Sequence, residues 1–247
     1  MISNVTKQYE QDPGTDAEES CCWYHSVAIP GFVRQGDWDI QPVIERHTGG
    51  VDFSGNTCLD IGTASGALSF HMEKMGGNVT SFDQSDEHPM DTLPCWATDL
   101  SYIRKMKNGF WKLHRFLNSQ VKVVYGNIYE LPFEDRSFDV AVVGNVLLHT
   151  ANPWGVLKEA CRVADTVIVT DVLRSENPDV MVFRPAIDTG NDYLFRWSIG
   201  PTVVERMLRS IGFNTNPTTT FDVTGPAFGT MAQWNIVATR DGSAPAK

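Results

Sequence analysis

The sequence lacks the features that would indicate a nucleic-acid-binding or membrane protein. Basic residues are few: 20 Lys and Arg stand against 30 Asp and Glu, which leaves a net charge of −10. An acidic surface repels a phosphate backbone, so we expect no nucleic-acid partner. No apolar run approaches the roughly eighteen residues of a membrane span, and the polar, acidic N-terminus is unlike a secretory signal. We therefore predict no membrane association and a cytoplasmic location.

Cysteine is also scarce, and its spacing argues against two further classes. The five cysteines are odd in number and show no C-x-x-C spacing. A disulfide framework uses cysteines in pairs, and most zinc sites use closely spaced ones, so we predict neither a disulfide scaffold nor a metal site. Composition leaves the oligomeric state open, and a homodimer is one alternative.

What the sequence does contain is a regular alternation of strand-like and helix-like segments. The predicted strands are NTCLDIG, NVTSFD, KVVYGNIYEL, SFDVAVVGNVLLH, DTVIVTDVL, TTTFDVT and QWNIVATR. Helices are predicted over residues 65–74, 98–117, 153–163 and 201–211. Alternation at this spacing is typical of βαβ units with right-handed crossovers. We predict an α/β fold with a doubly wound, mostly parallel seven-stranded sheet and helices on both faces.

The first strand runs directly into a glycine turn, LDIGTASG. Its G-x-x-x-G spacing, with alanine at position 64, is neither the dinucleotide fingerprint G-x-G-x-x-G nor a phosphate-binding P-loop. Asp60, at the end of the strand, would repel a phosphate and suits a cation. The turn therefore favours a nucleoside-like ligand that has positive charge and no phosphate. S-adenosyl-L-methionine (SAM) has a sulfonium and an ammonium group and fits this description.

Two further strand ends carry polar groups suited to a nucleoside. Asp83 ends the second strand, where a carboxylate can accept both ribose hydroxyls. Asn127 and Ile128 follow the third strand, where an amide can bond the adenine amine and an apolar side chain can pack on its ring. The predicted cofactor-binding residues are Asp60, Gly62, Thr63, Gly66, Asp83, Gln84, Asn127, Ile128 and Asn145.

Together these motifs resemble the class I SAM-dependent methyltransferases over about residues 55–175. The resemblance implies a Rossmann-like methyltransferase fold, in which Asp60, Gly62 and Gly66 cradle the methionine part of SAM. It also divides the chain into an N-terminal segment, 1–50, as a candidate active-site lid, and a SAM-binding domain, 51–240. A substrate-loop insertion is expected at about 175–200.

A narrower resemblance links the chain to relatives of the tRNA uridine-5-oxyacetic acid synthase, the CmoB-like group. It rests on WYHSVAIPGFVRQGDWDIQP, residues 23–42, and on DTGNDYLFRWSIGPTVVERMLRSIGF, residues 188–213. That group uses carboxy-SAM on tRNA. This chain departs from it by its acidity and by lacking the long N-terminal extension expected of the tRNA enzyme. A small-molecule substrate is therefore the preferred expectation.

Methyl transfer from a sulfonium needs an aligned nucleophile and exclusion of water, with a base only where the nucleophile arrives protonated. His149, at the predicted end of the fourth strand, is a candidate base or orienting group; the alternative is a structural histidine bonded to a loop carbonyl. Tyr24 and His25 are catalytic candidates in the lid segment. Trp23 and Trp38 are candidate substrate-binding residues there, and a packing role is the alternative for each of these four.

Three residues of the later chain are further candidates for contact with the substrate. Arg174 either pairs with Asp171 or recognises a carboxylate. Arg196 beside Trp197 indicates an anionic or carboxylated acceptor, with a surface arginine as the alternative. The leading hypothesis is a SAM-dependent small-molecule methyltransferase. Its alternatives are a carboxy-SAM-dependent tRNA-modifying enzyme and a non-catalytic SAM-binding partner subunit.

Overall fold

The computed structural model describes residues 9–14, 17–88, 91, 100–184, 195–226 and 229–242. The strands are β1 (Val27–Ile29), β2 (Phe32–Arg34), β3 (Thr57–Ile61), β4 (Asn78–Gln84), β5 (Lys122–Gly126), β6 (Phe138–Gly144), β7 (Ala164–Val172), β8 (Met181–Phe183), β9 (Trp197–Ile199), β10 (Phe213–Thr215), β11 (Thr219–Gly225) and β12 (Gly229–Arg240). The α-helices are α1 (Ile44–His47), α2 (Ala67–Lys74), α3 (Leu100–Leu117), α4 (Pro153–Val163) and α5 (Pro201–Ser210). Short 3₁₀ turns occupy Glu18–Ser20, Gln41–Val43 and Leu147–His149.

The central sheet confirms the predicted doubly wound, mostly parallel topology. Its strand order is β10-β12-β7-β6-β3-β4-β5, and β11 pairs with β12 beside this path. Strands β3 to β7 run parallel to one another, whereas β12 runs antiparallel to β7, β10 and β11. The chain order reverses between β3 and β6. The carboxyl ends of strands at such a reversal form the ligand-binding crevice of open α/β sheets.

Helices cover both faces of the sheet, as predicted. Leu157 of α4 and Leu208 of α5 pack with Leu59 in one buried cluster, and Met72 of α2 and Phe110 of α3 pack with Cys58 in a second. Cys58 and Leu59 are consecutive in β3 and therefore point to opposite faces. A parallel strand that is buried on both faces reads as a continuous apolar run, which is why these strands were visible in the sequence.

The segment 22–39, called here the N-terminal wall, packs on the second cluster rather than standing apart from the sheet. The Cys22 N–H donates to the oxygen of Lys105 in α3 at 3.0 Å, and the Asp39 N–H donates to the oxygen of Thr224 in β11 at 3.0 Å. Trp38 is only 4% exposed. These contacts fix the wall against two elements of the main domain.

One predicted strand is wrong in its length. The segment SFDVAVVGNVLLH forms a strand only to Gly144, and His149 lies in the separate 3₁₀ turn Leu147–His149. The reason is Asn145, whose φ of 54° is in the left-handed region and cannot continue a strand. His149 therefore follows the sheet on a loop instead of ending a strand.

The sequence pattern also missed β1, β2, β8, β9 and β10. Each has three residues, too few to show a two-residue alternation. Parts of several expectations lie outside the described residues: the start and end of the chain, the first two residues of the helix predicted at 98–117, and residues 185–194 of the substrate loop. None of the described helices combines the length and apolar character needed to cross a membrane.

Candidate active site

The glycine turn after β3 has a backbone that requires left-handed residues. Gly62, Ala64 and Gly66 have φ values of 80°, 51° and 88°. A Cβ on Gly62 would lie 2.5 Å from Cγ2 of Val146, so glycine is required there for space as well as for conformation. Ala64 adopts a left-handed conformation although it is not a glycine. The alanine at position 64 therefore changes the residue type of the motif but not the left-handed geometry of the turn.

Asp60 and Gly66 lie beneath this turn and do not line the cavity described below. Oδ2 of Asp60 accepts a hydrogen bond from Ser69 Oγ at 2.6 Å, and Ser69 also bonds Thr63 Oγ1 at 2.9 Å. Burial raises the pKa of Asp60 to about 6. A Cβ on Gly66 would lie 2.4 Å from the Phe70 ring. Both residues support the turn from behind.

Asp83 links the end of β4 to the same turn. Its Oδ2 accepts the N–H of Ala64 at 2.9 Å, and its Oδ1 accepts the N–H of Gln84 at 2.8 Å. Burial raises the pKa of Asp83, and the positive charge of Lys107 acts in the opposite direction. Both oxygens are held in place, and a carboxylate oxygen can accept a second donor such as a ribose hydroxyl.

Gln84 and Asn145 each carry an unsatisfied acceptor. Gln84 Oε1 and Asn145 Oδ1 are buried without a hydrogen-bond partner among the described residues. Buried polar atoms in native structures are normally bonded, so these two need donors from a ligand or from water. The ammonium and the adenine amine of SAM are donors of this kind. The residues present therefore fit SAM.

The turn and the strand ends open into a single cavity of about 520 Å³, a size typical of small-molecule sites. Of the predicted residues, the lining contains Tyr24, His25, Trp38, Gly62, Thr63, Asp83, Gln84, Asn127, Ile128, Asn145 and His149. Other described residues of the lining are Asp37, Ala64, Leu68, Phe82, His88, Asp91, Tyr102, Ile103, Met106, Tyr129, Gly144, Val146, Thr150 and Phe195.

Asn127 and Ile128 occupy the part of the lining that follows β5. Asn127 Oδ1 accepts the N–H of Tyr129 at 3.0 Å, which orients the amide. Ile128 packs against the first core cluster. The phenol of Tyr129 donates to Asp91, whose carboxylate also accepts the Ala151 N–H at 2.6 Å. This side of the cavity is therefore a braced surface with one apolar and one amide group.

The N-terminal wall supplies the opposite side. The His25 N–H donates to Ser65 Oγ at 3.1 Å, which attaches the wall to the glycine turn. Burial lowers the pKa of His25 to about 3, so its ring is neutral at physiological pH. Burial raises the pKa of Tyr24, and the charges of Asp37 and Asp171 raise it further, so the phenol stays protonated.

His149 is positioned by the strand β9 and the residues just before it. Its ring lies 5.1 Å from the ring of Phe195 at an interplanar angle of 31°. The guanidinium of Arg196 donates to the oxygen of His149, and the Arg196 N–H donates to the oxygen of Leu148 at 2.8 Å. Trp197 Nε1 donates to the oxygen of Thr150 at 2.8 Å. Arg196 and Trp197 thus brace the 3₁₀ turn from outside the cavity lining.

The two remaining predicted substrate residues also lie outside the lining. Trp23 packs edge-on against Phe32, with ring centroids 5.3 Å apart. The guanidinium carbon of Arg174 lies 4.0 Å from the centre of the Phe195 ring, which itself lines the cavity. The positive charge of Arg174 also lowers the pKa of Asp171, although burial is the larger influence and brings that pKa to about 7.

Sequence reasoning missed Asp37, Tyr102 and Phe195 as lining residues. Asp37 and Phe195 each stand next to a residue that was selected, Trp38 and Arg196, so the right segments were identified with the wrong side chains. Tyr102 lies in the first turns of α3, more than sixty residues from Asp37 in sequence, and no local pattern marks it. The described residues contain no group of three or more His, Cys, Asp or Glu side chains arranged to hold a metal ion.

Comparison with known proteins gives this geometry a context. Residues 59–166 match the family described as a methyltransferase domain. A sarcosine/dimethylglycine N-methyltransferase from Aphanothece halophytica is 28% identical over 137 residues, which are 54% of this chain and 44% of that protein. A demethylmenaquinone methyltransferase from Bacillus pumilus is 33% identical over 66 residues, 27% of this chain and 28% of that protein. The matched part spans less than half of either relative.

Solved structures support the fold. A SAM-dependent methyltransferase from Methanosarcina mazei superposes with a TM-score of 0.58 at 18% identity, over 82% of this chain and 99% of that one. The region matched to the methyltransferase domain contains the turn after β3 and the carboxyl ends of β4, β5 and β6, which are the elements that meet at the cavity. The chain is therefore similar to methyltransferase domains over residues 59–166, and it shares the fold of a solved SAM-dependent methyltransferase.

Proposed function

We propose that the protein transfers a methyl group from SAM to a small-molecule acceptor bound beside the N-terminal wall. One observation carries this: the predicted SAM-binding residues Asp83, Asn127 and Asn145 line the same cavity as the predicted catalytic residues Tyr24, His25 and His149. A cofactor held by the strand ends would leave the part of the cavity beside the wall and the 3₁₀ turn for the acceptor. Donor and acceptor would then share one cavity.

The bound cofactor supplies an activated methyl group on a positively charged sulfur. The chain's own contribution is to align the acceptor and to exclude water. Tyr24 offers a protonated phenol, and the neutral His25 ring, whose pKa is about 3, is a weak base. His149 is the better placed candidate to accept a proton or to orient the acceptor, since Phe195 and Arg196 hold it at the cavity.

A small acceptor is supported by two properties of the chain. Its relatives in Aphanothece halophytica and Bacillus pumilus are named for sarcosine, dimethylglycine and demethylmenaquinone, which are small molecules. The net charge of −10 disfavours a polyanionic acceptor such as tRNA. The N-terminal wall, with Tyr24 and Trp38, forms the acceptor side, and the lid role predicted for this segment belongs to the same proposal.

The alternative with carboxy-SAM and tRNA is less well supported by the charges of the site. Carboxy-SAM carries an additional carboxylate next to its sulfur and would be stabilised by a nearby cation. The described residues that line the cavity include no lysine or arginine. The lack of lysine and arginine in the described lining also weakens the prediction of an anionic acceptor. That prediction rested on Arg196, whose guanidinium donates to the oxygen of His149. Arg174 lies behind Phe195, with its guanidinium on the Phe195 ring.

Calorimetry with SAM and S-adenosylhomocysteine tests the cofactor half of the proposal. We expect both to bind in a 1:1 ratio, and the absence of binding by either would refute it. A screen of small acceptors for S-adenosylhomocysteine release tests the catalytic half. Release with at least one acceptor excludes a purely cofactor-binding partner subunit. Mass spectrometry of any ligand that co-purifies separates SAM from carboxy-SAM, because the latter is heavier by one carboxylate.

A further inference from the structure

A carboxylate and a phenol from distant parts of the chain meet on the acceptor side of the cavity. Tyr102 of α3 donates from its hydroxyl to Asp37 Oδ2 at 2.9 Å, and both side chains line the cavity. Asp37 Oδ1 has no hydrogen-bond partner among the described residues. The carboxylate therefore keeps one oxygen available at the edge of the cavity.

The backbone around Asp37 is fixed, so this carboxylate is held in position. The Asp37 N–H donates to the oxygen of Trp23 at 3.3 Å, and the Trp38 N–H donates to the oxygen of Tyr24 at 3.0 Å. A Cβ on Gly225 would lie 2.2 Å from the oxygen of Asp37, which shows how closely β11 supports this part of the wall. Such support is what a binding group needs if it is to be preorganised.

The charges of the cavity are of one sign. Its described lining contains the carboxylates of Asp37, Asp83 and Asp91 and no lysine or arginine. The sequence also has no lysine or arginine in residues 89–99 or 185–194. Asp83 is bonded by two N–H groups, and Asp91 by a phenol and an N–H. Asp37 receives a single neutral donor, so its charge is the least compensated of the three.

The negative charge of Asp37 raises the pKa of ionisable groups around it. Burial is the largest cause of the raised pKa of Cys22, about 11, and of the raised pKa of Tyr102. The Asp37 carboxylate is the second cause in both cases. It also raises the pKa of Tyr24. The Asp37 carboxylate therefore lies close enough to act on all three groups.

Aromatic rings surround the same space. Tyr24, Trp38 and Tyr102 all line the cavity, and a hydrogen bond joins the side chains of Tyr24 and Trp38. The faces of aromatic rings are negative and attract organic cations, especially substituted ammonium groups. Rings of this kind together with a carboxylate attract a cation and disfavour an anion.

We infer that the methyl acceptor is an amine and that Asp37, with the rings of Tyr24, Trp38 and Tyr102, holds its nitrogen. This inference rests on the proposed function and names its acceptor class. The amine that binds as an ammonium ion first gives one N–H proton to water. The lone pair thus freed forms the new N–CH₃ bond while the C–S bond breaks and its electron pair remains on sulfur. The positive charge passes from sulfur to nitrogen. Asp37 then faces an ammonium ion, whereas an anionic acceptor would be repelled by it.

Three probes of similar shape test this on the wild-type protein saturated with S-adenosylhomocysteine: N,N-dimethylbenzylamine, benzyl alcohol and benzoate. We expect calorimetry to show the amine binding at least tenfold more tightly than benzoate, with the alcohol between them. Equal binding, preferred binding of benzoate, or no binding of the amine would overturn the inference. This comparison needs no variant, and it presupposes binding of S-adenosylhomocysteine. Failure at that earlier step would refute the proposed function instead.

The variant Asp37→Asn tests the residue. It keeps the shape of the side chain and removes its charge, so we expect amine affinity to fall at least tenfold while SAM affinity changes less than threefold. Asp39→Asn is the matched control, two residues away and outside the cavity lining, and should leave both affinities unchanged. Unchanged amine binding in Asp37→Asn, or a loss confined to SAM, would show that Asp37 does not serve the acceptor.

Discussion

Asp83 and Ala64 are joined by a hydrogen bond in which the Ala64 N–H donates to Oδ2 of Asp83 at 2.9 Å. The bond ties the end of β4 to the turn after β3. Ala64 offers its N–H in this direction because its φ of 51° is left-handed. The carboxylate proposed to bind ribose and the turn proposed to hold the methionine part are therefore one structural unit.

Asp83→Ala should weaken SAM binding by about 1–3 kcal/mol, or roughly 5- to 150-fold, because hydrogen bonds to a buried group are lost. Calorimetry measures the change. Asp86→Ala is the matched control, since Asp86 pairs with Arg104 at the surface and does not line the cavity. An unchanged SAM affinity in Asp83→Ala would contradict the ribose assignment.

Gly62→Ala should reduce SAM affinity more than tenfold and lower the melting temperature. The new Cβ would meet Val146 at 2.5 Å, in addition to the strain of a φ of 80°. Gly50→Ala separates the two causes, because Gly50 has a φ of 67° and nothing within 4 Å of an added Cβ. That control should show only the backbone strain, about 1 kcal/mol, and normal SAM binding.

His47→Leu should make the protein less sensitive to acid. Burial lowers the pKa of His47 to about 4 from an ordinary 6.5, and neither ring nitrogen has a hydrogen-bond partner among the described residues. The unfolded chain therefore takes up a proton between pH 6.5 and 4 that the folded protein does not. The contribution of His47 to the free energy of unfolding is fully present above pH 6.5 and is lost as the pH falls to 4. The total loss is about 3 kcal/mol.

Urea unfolding at pH 7 and pH 4.5 measures the effect of His47→Leu. The difference in unfolding free energy between the two pH values should be smaller in this variant than in the wild type. His88→Gln changes an exposed histidine and should retain the wild-type difference. Asp60, whose pKa is not influenced by His47, titrates in all three proteins and cancels in the comparison. The pKa of His25 is lowered by burial first and by His47 second, so its smaller shift in His47→Leu acts in the same direction as the expected change. An unchanged difference in His47→Leu would contradict the prediction.

Arg196→Met should lower the free energy of unfolding by about 1–3 kcal/mol, since it removes the donor that braces the oxygen of His149. SAM affinity should change less than threefold, because Arg196 is 3% exposed and outside the cavity lining. Arg206→Met, which removes an exposed arginine paired with Asp179, should leave stability nearly unchanged. Full stability of Arg196→Met with loss of acceptor binding alone would favour the substrate role inferred from the sequence.

Most of the fold, and the strand ends that line the cavity, could be predicted because their signals are local. A buried parallel strand can be recognised in the sequence as a continuous apolar run. The glycine turn, Asp83 and Asn127 each follow such a run directly. The sheet then brings the carboxyl ends of β3, β4 and β5 together as a consequence of its topology. The error at His149 has a local cause too: one left-handed residue, Asn145, ended the strand five positions early.

The acceptor side depends on contacts that no local pattern contains. The sequence by itself determined that a glycine turn and the carboxylate of Asp83 follow one another at the ends of neighbouring strands. Only the tertiary structure decided that Asp37 meets Tyr102 across 65 positions of the chain, and that Arg196 turns to the backbone of His149 instead of the cavity. The physical reason is that a side chain's partner depends on which elements pack together. Residue type limits what each group can bond, and packing selects which partner it reaches.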